Sequence, residues 1–275
     1  MGYLMAGIEF RCLARLRVRM QGLRRSHKPS RIYHVDMVFG RCFKGIGGIV
    51  VYLGKGIYTP AYVARLIKTD TQKTRRWVKG YTYRKDAELK SVAPIFKREF
   101  DQFSEEVALS FLDLAELLFI RHFIELGFGI QKIRKAAFAA SKFLDTDHPF
   151  ALQKIYTDGK SIFATLAEKE NDLSLLDLIK DQFQFEKIVQ PTLTCLDFGI
   201  TGKVEKWWPW GKDKNIALDP IRNMGQPILD TYNLRTDIIF DLYKAGRCID
   251  DISDWYELDK DSVKIAIEFE KSLAA

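Results

Sequence analysis

The sequence predicts a mainly α-helical protein with small β elements, of the α+β class. A pair of short capped helices is expected near residues 59–79, and apolar residues recur at helical spacing over 105–144. Three more short helices are expected after residue 235, and short apolar runs separated by glycine and proline precede them. At 275 residues the chain can bury more than one core.

The positive charge of the chain is unevenly distributed. The net charge is +7, but residues 1–48 contain ten basic and two acidic residues, which leaves −1 for the remainder. The basic segment has three interpretations: a disordered arm that adds phosphate contacts, an Arg-rich segment similar to a transit peptide, or an overlong gene start with translation beginning near Met37 or later. The high isoelectric point is therefore no evidence that the rest of the protein binds nucleic acid.

Several classes of protein are disfavoured by what the sequence lacks. No run approaches 18 uncharged apolar residues, so no membrane span is predicted. The sequence contains no P-loop, dinucleotide fingerprint or nucleophile–base pattern, so neither an enzyme nor a cofactor is predicted. The cysteines are far apart without a C-x-x-C pair, which predicts no metal site or disulfide framework and makes a cytoplasmic location the simplest. They are Cys12, Cys42, Cys195 and Cys248.

Residues 58–84 predict a helix-turn-helix. Thr59 can cap a first helix whose first residue is Pro60. Asp70 or Thr71 can cap a second helix that runs to about Lys79, where Gly80 ends it. The apolar residues that would hold the two helices together recur at helical spacing. They are Val63, Leu66 and Ile67 in the first helix and Thr74, Trp77 and Val78 in the second.

The second helix and the segment after it carry the candidate DNA contacts. Such a helix lies in the major groove in helix-turn-helix proteins, and the strand-like alternation after Gly80 is typical of a wing. Arg and Lys can bind phosphates or guanine, and Gln can read adenine. The alternative is a surface helix with a solvated basic face. The candidate DNA-binding residues are Gln72, Lys73, Thr74, Arg75, Arg76, Tyr81, Tyr83 and Arg84. Thr74 is therefore a candidate both for packing against the first helix and for contacting DNA.

The next segment resembles the MerR-like winged-helix regulators. In that family a helix ends in Leu-Gly and the next opens with an Ile-x-x-Ile-Arg pattern, as Leu126-Gly127 and 130–134 do here. A helix from about Glu105 to Leu126 and another over 129–144 are expected to pack together. The resemblance covers about residues 56–144 and implies a winged helix-turn-helix domain over 49–147. The long C-terminal dimerisation helix of the family is not evident after Leu144.

The middle region, 148–214, is expected to be rich in β structure. Asp158-Gly159 predicts a β-hairpin over 154–166. The remaining elements are a helix over 173–183 and strands near 187–190, 192–198, 203–207 and 215–218. His148 beside Asp145 and Asp147 is interpreted as part of a polar loop rather than a metal site. Trp207, Trp208 and Trp210 are candidate partner-binding residues, and the alternative is a hydrophobic lid that joins the middle region to the C-terminal domain.

Residues 215–275 resemble a small antitoxin-associated family of domains of unknown function. The matching features are Asp219-Pro220, the Gly-x-Pro turn at 225–227 and three short helices. We expect Thr236 and Asp259 to cap the first and third helices. In the second helix either Trp255 or Tyr256 should point inward. Both are also candidate partner-binding residues.

The two resemblances together imply an antitoxin of a type II toxin–antitoxin pair. Such a protein would bind operator DNA, neutralise a PIN-like ribonuclease toxin and autoregulate its operon, as a homodimer or as a hetero-oligomer with the toxin. The alternative is a stand-alone MerR-like transcription regulator that responds to a small molecule. Neither function requires a catalytic residue, a cofactor or a membrane.

Overall fold

A computed structural model describes residues 54–86, 88–100, 107–169 and 192–274 of the chain. These residues belong to one compact unit spanning Val50–Ala275, and the α+β class is confirmed. The helices are α1 (Pro60–Leu66), α2 (Thr71–Lys79), α3 (Phe111–Glu125), α4 (Ile130–Leu144), α5 (Gln153–Lys169), α6 (Thr236–Lys244), α7 (Ile249–Tyr256) and α8 (Lys260–Ala274). The strands are β1 (Tyr81–Lys85), β2 (Glu88–Val92), β3 (Leu196–Phe198), β4 (Val204–Trp207), β5 (Ile216–Leu218), β6 (Pro227–Leu229) and β7 (Leu234–Arg235). The predicted helix 173–183, the strand near 187–190 and the basic segment 1–48 lie outside the described residues.

The first two helices begin and end as predicted. The Thr59 side chain accepts a hydrogen bond from the backbone N–H of Tyr62, with an N–O distance of 3.2 Å, and Pro60 is the first helical residue. At α2 the Asp70 carboxylate accepts from the N–H of Lys73 at 2.8 Å. Each cap satisfies an N–H group that has no partner within its own helix, which favours these boundaries.

The strands after Gly80 form an antiparallel hairpin in which Tyr81 lies opposite Val92 and Lys85 opposite Glu88. The strand expected after Gly80 is therefore confirmed, and β2 is its partner. The backbone N–H of Ile95 then donates to the carbonyl of Trp77 at 2.8 Å. This bond fixes the base of the hairpin to α2.

Helix α3 begins later than predicted, because Ser110 caps it. The Ser110 hydroxyl accepts from the N–H of Asp113, and the Asp113 carboxylate accepts from the N–H of Ser110, which is a complete capping box. The start near Glu105 is wrong, since the chain just before Ser110 is extended and Leu109 pairs with Tyr58 through two backbone hydrogen bonds of 2.9 Å. The apolar face of α3 is buried, with Phe119 stacked on Phe150 at 4.4 Å.

Residues 153–169 form the single helix α5, so the predicted β-hairpin over 154–166 is wrong. Ile155, Ile162 and Phe163 recur at helical spacing and are all buried. Asp158-Gly159 lies in the middle of the helix, where Gly159 is buried. Burial of a helical apolar stripe therefore outweighs the local turn preference of an Asp-Gly pair.

The chain after residue 195 forms an antiparallel meander in the order β3-β4-β5-β6-β7. Strands β3, β4 and β5 fall within the three predicted runs, but Thr192–Thr194 is helical. Trp207 in β4 lies opposite Leu218 in β5. The sheet therefore continues across residues 214 and 215, where the sequence suggested the start of a separate domain.

Three helices follow the sheet, as predicted. Asp259 caps α8 by accepting from the N–H of Ser262 at 2.7 Å. Thr236 is the first residue of α6 rather than its cap. The cap of α7 is Cys248, whose sulfur accepts from the N–H of Asp251 at 3.3 Å, so neither Asp250 nor Asp251 caps this helix. Helix α8 packs against α6, α7 and α1.

A buried acidic cluster lies where α3 meets the turn before α5. His148 is buried rather than part of a solvated loop, and its Nε2 is 2.7 Å from Asp113 Oδ1. Burial acts to lower the pKa of His148, but the hydrogen bond to Asp113 and nearby carboxylates outweigh it and raise the pKa. Glu116 accepts from the N–H of Ala151 at 3.0 Å, and its other oxygen is buried without a hydrogen-bond partner. Burial raises the pKa of Glu116 to about 8.

We expect Glu116→Gln to flatten the dependence of stability on pH. Between pH 4.5 and about 8 the folded state keeps the Glu116 proton and the unfolded state releases it, so the free energy of unfolding falls as pH rises. One such proton contributes a slope of about 1.4 kcal/mol per pH unit. Urea titrations at several pH values should show that slope reduced in the variant. The raised pKa of His148 contributes in the same direction in both proteins, and because Glu116 is one of the carboxylates that raise it, the variant also loses part of that contribution. Glu88→Gln, at an exposed position of β2, is the control for removing a carboxylate. Parallel pH profiles for Glu116→Gln and the wild type would contradict the assignment.

Candidate nucleic-acid interface

Helix α2 separates its residues cleanly into a buried and an exposed face. Trp77 and Val78 are buried, while Gln72, Arg75 and Arg76 are exposed. Lys73 and Lys79 are exposed as well. The helix contains four cationic side chains and no acidic one. Its outward face can therefore approach a polyanion without like-charge repulsion.

Thr74 must be removed from the candidate DNA contacts. Its relative exposure is 0%, and its hydroxyl donates to the carbonyl of Asp70 at 3.0 Å. A side chain in this position supports the packing of α2 and cannot reach a ligand in solvent. Helical spacing grouped Thr74 with the packing residues Trp77 and Val78, and the structure confirms that grouping.

The hairpin continues the cationic face of α2. The Arg76 guanidinium lies over the Tyr81 ring, with its central carbon 5.7 Å from the ring centroid. Tyr81 in turn contacts Tyr83, with centroids 6.0 Å apart, and both rings are exposed. Aromatic rings beside guanidinium groups are suited to contacts with sugars and bases. Arg76, Tyr81 and Tyr83 thus form one continuous surface.

Arg84 lies on the other face of the hairpin. Side chains alternate along a strand, so Tyr81, Tyr83 and Lys85 share one face, and Arg84 points away from it. The residue opposite Arg84 is Leu89, which is 71% exposed. The structure therefore brings together the two tyrosines but not Arg84.

Three cations of this region were missed in the sequence. Lys79 ends α2, Lys85 shares the tyrosine face, and Lys90 lies opposite Tyr83 in the hairpin register. Strand alternation from Tyr81 would have identified Lys85. Lys90 could not be placed, because its face depends on where the turn between the strands falls. Residues 68–85 contain seven basic residues and one acidic residue.

Gly80 is the junction between α2 and the hairpin. Its φ of +73° is a backbone conformation that side chains with a Cβ rarely adopt. A Cβ at this position would lie 2.2 Å from the carbonyl oxygen of Val92. The close approach of β2 to the end of α2 therefore requires glycine here.

The candidate partner-binding aromatics occupy two different environments. Trp207 and Trp208 are 6% and 8% exposed, and the Trp208 indole donates to Asp197 at 2.8 Å. Trp210 is half-buried against Phe269 of α8, with ring centroids 5.3 Å apart. Trp207 and Trp208 are therefore part of the interior and cannot serve as a docking surface. The hydrophobic-lid interpretation fits all three.

Trp255 and Tyr256 lie on the surface instead. Trp255 is 55% exposed and Tyr256 39%, so the expectation that one of them points inward is wrong. Helix α7 buries Ile252 and Ser253, which are sufficient to attach so short a helix. The Arg247 guanidinium lies 4.8 Å from the centre of the Trp255 ring.

The described ranges contain neither a candidate metal site nor a helix that could span a lipid bilayer. They contain no group of three His, Cys, Asp or Glu side chains arranged to hold a metal ion. Every helix in these ranges is too short or too polar to span a bilayer.

Comparisons with known proteins point to an antitoxin-like protein. The chain is 26% identical over 223 residues to "Putative antitoxin VapB45" of Mycobacterium tuberculosis (strain ATCC 25618 / H37Rv), a match that covers 77% of this chain and 92% of that protein. The X-ray crystal structure of Rv2018 from Mycobacterium tuberculosis has the same fold, with a TM-score of 0.59 and 23% identity over 76% of this chain and 96% of that one. No family model matches the chain.

We expect Gly80→Ala to destabilise the protein more than Gly127→Ala does. Both glycines have positive φ, +73° and +86°, so alanine is strained at either position. Only at Gly80 does the added Cβ collide with backbone, and such a collision costs a further ~1–3 kcal/mol. Urea unfolding of the two variants measures the difference. Equal losses of stability would show that the hairpin can shift away from α2 without cost.

Proposed function

We propose that the chain is a non-enzymatic antitoxin that binds operator DNA through α2 and the β1–β2 hairpin. The observation that carries the proposal is the outward face of α2, where exposed cations and Gln72 stand without an acidic residue, next to Tyr81 and Tyr83. The similarity to "Putative antitoxin VapB45", over 92% of that protein's length, supports the same conclusion. In this proposal α1, α2 and the hairpin act as a MerR-like winged helix-turn-helix, with α2 in the major groove.

Each exposed residue then has a chemical role. Gln72 is suited to adenine, and Arg75 and Arg76 to guanine or phosphate, because a guanidinium donates two parallel hydrogen bonds. Lys73 can neutralise a phosphate. Tyr81 and Tyr83 would meet the backbone beside the groove, whereas Arg84 would contact a duplex only from the far side of the hairpin.

The second half of the proposal is a protein partner. We propose that the partner is a PIN-like ribonuclease toxin, bound at α7, and that DNA binding by the resulting assembly or by a homodimer gives autoregulation. Residues 249–261 contain six acidic residues and one lysine, and they present Trp255 and Tyr256 to solvent. Exposed aromatic side chains framed by charge are typical of protein interfaces, and the acids would suit a basic surface on the toxin.

One observation favours the alternative, a regulator that responds to a small molecule. A cleft of about 680 Å³ lies between α1, α2, α3 and α8, a volume within the range of ligand pockets. It includes Arg65, Lys73 and Trp77. This cleft is not at the place expected from the sequence, between the 105–144 helices and the β region.

We expect Arg75→Ala to weaken binding to a duplex containing the region upstream of the protein's own gene. Loss of a phosphate contact should reduce the slope of log K against log salt by about 0.9, and loss of a guanine contact should cost about 1–3 kcal/mol for that sequence alone. Fluorescence anisotropy over a salt series measures both.

Arg247→Ala, which removes an exposed arginine next to α7, is the control. Thermal unfolding should be unchanged in both variants, since exposed charges contribute little stability. The same affinity and slope for Arg75→Ala and wild type would exclude α2 from the interface.

We expect the double substitution Trp255→Ala and Tyr256→Ala to prevent neutralisation of a nuclease encoded beside the gene. Truncating an aromatic side chain that is a binding hot spot costs the interface about 2 kcal/mol or more. The measurement is growth of cells that express the nuclease together with each form of the chain. Phe143→Ala removes an exposed aromatic ring from α4 and serves as the control. Full neutralisation by the double variant would move the partner surface away from α7.

A further inference from the structure

Helix α4 carries a second cationic surface that the proposed function does not yet use. The helix contains Lys132, Arg134, Lys135 and Lys142 and no acidic residue. Five of its positions are exposed: Phe143 and four others that follow a regular spacing of four, three and four residues, which places those four on one face of a helix. We call them the α4 stripe: Gln131, Lys135, Phe138 and Lys142.

The packing of α4 explains why this face is free to carry charge. The opposite side is buried through Ile133 and four alanines. Small inward side chains let α4 lie close to its neighbours, so the core contacts of the helix are made by the face opposite the stripe. The residues of the α4 stripe can therefore serve binding rather than packing.

Arg134 connects α4 to the hairpin. Its guanidinium donates to the carbonyl of Pro94 at 3.5 Å, at the point where the chain leaves the hairpin. Pro94 follows Val92, which lies opposite Tyr81 in the hairpin register, and Arg76 lies over the Tyr81 ring. Cations of α2 and α4 therefore both contact the base of the hairpin.

The α4 stripe also borders the end of α2. A groove of about 240 Å³ separates them, and it is lined by Val78 of α2, Phe96 of the connecting chain and Phe138 of α4. Lys97 lies on the same groove. A ligand that covers α2 and extends past the hairpin base would therefore reach α4 next.

Phe138 and Lys142 form the C-terminal half of the stripe. Phe138 is 60% exposed, and the Lys142 ammonium lies 4.2 Å from the centre of its ring. A cation held over an aromatic face loses part of its conformational freedom before it binds anything. The pair presents an ordered positive charge beside an apolar surface, which matches a phosphate beside a deoxyribose.

We propose that the α4 stripe, together with Arg134, is a second binding surface for duplex DNA, which contacts the phosphate backbone beside the segment that α2 occupies. The inference rests on the proposed DNA-binding function and extends its footprint. The twelve residues of helix from Gln131 to Lys142 span about 16 Å, which corresponds to about five base pairs of duplex. The added contacts are with phosphates, so they increase affinity for every sequence alike.

The test compares two pairs of lysines on two helices. The first variant combines Lys135→Gln with Lys142→Gln in the α4 stripe. The control combines Lys264→Gln with Lys271→Gln in α8, where the exposed Lys271 also lies over an aromatic ring, that of Tyr243, at 4.9 Å. The probe is the duplex from upstream of the gene, and a scrambled duplex of equal length tests sequence dependence. Anisotropy over a salt series gives the slope of log K against log salt.

The stripe variant should lower that slope by about 2, close to 0.9 for each phosphate contact, and by the same amount on both duplexes. The control should leave it unchanged. Trimming about five base pairs from the flank that faces α4 should abolish the difference between wild type and the stripe variant. Both variants should unfold at the wild-type temperature.

Three outcomes would overturn the inference, and they are distinguishable. If the wild type does not bind the duplex at all, the proposed function fails together with this inference. If Arg75→Ala weakens binding while the stripe variant matches the α8 control, only the inference fails. If the stripe variant changes the sedimentation coefficient of the protein, the stripe is a contact between copies of the chain rather than a DNA surface.

Discussion

The packing of α2 against α1 is the constraint on which the rest of the interface depends. A helix of nine residues is not stable alone in water, so its orientation is set by what it buries. Trp77 and Val78 provide the buried surface, and Thr74 completes it by returning its hydroxyl to the carbonyl of Asp70. With these three side chains inside, a rotation of α2 by one residue would move Arg75 or Arg76 toward the core. Burial of such a charge is costly, and this cost keeps the cations outward.

The same packing fixes the hairpin. The carbonyl of Trp77 accepts the N–H of Ile95, and Gly80 allows β2 to approach the end of α2 closely. Because the backbone at both ends of the hairpin is held, the face that carries Tyr81 is presented beside Arg76. Two exposed strands would have no preferred orientation without these attachments, since a two-stranded hairpin is marginally stable by itself. The surface that we assign to DNA is thus assembled by contacts that lie beneath it.

Interactions between residues close in sequence were sufficient to predict the boundaries of α1 and α2. The prediction failed where contacts between residues distant in sequence determine the structure. Thr59, Pro60, Asp70 and Gly80 act on neighbours within four residues, so their caps and ends could be predicted. The start of α3 could not, because the pairing of Leu109 with Tyr58 holds the preceding residues extended. The hairpin predicted from Asp158-Gly159 failed for a related reason. The apolar stripe of α5 was present in the sequence, but only the surrounding core makes its burial outweigh the turn preference.

The candidate site also has parts that the local sequence predicts and parts that it does not. The exposed cations of α2 follow from helical periodicity, whereas the separation of Arg84 from the tyrosines requires strand alternation to be applied strictly. The tryptophans show the limit of composition. The sequence left Trp207 and Trp208 as either a partner-binding site or a hydrophobic lid, and they are interior, whereas Trp255 is exposed to solvent. Local sequence could not decide this, because burial depends on how many distant elements pack around each position.

The two charged surfaces of the chain are joined by direct packing, which bears on autoregulation. Helix α8 contacts α1, and the Tyr58 hydroxyl donates to the carbonyl of Gly225 at 2.7 Å. The acidic helix α7 packs on α8, α8 packs on α1, and α1 packs on α2, so the surface proposed for the toxin and the surface proposed for DNA are three packing steps apart. Coupling between binding sites is reciprocal: if the toxin changes operator affinity by some factor, DNA must change toxin affinity by the same factor. Rigid contacts between the regions provide a physical route for that coupling, whereas a flexible linker would leave the two affinities independent.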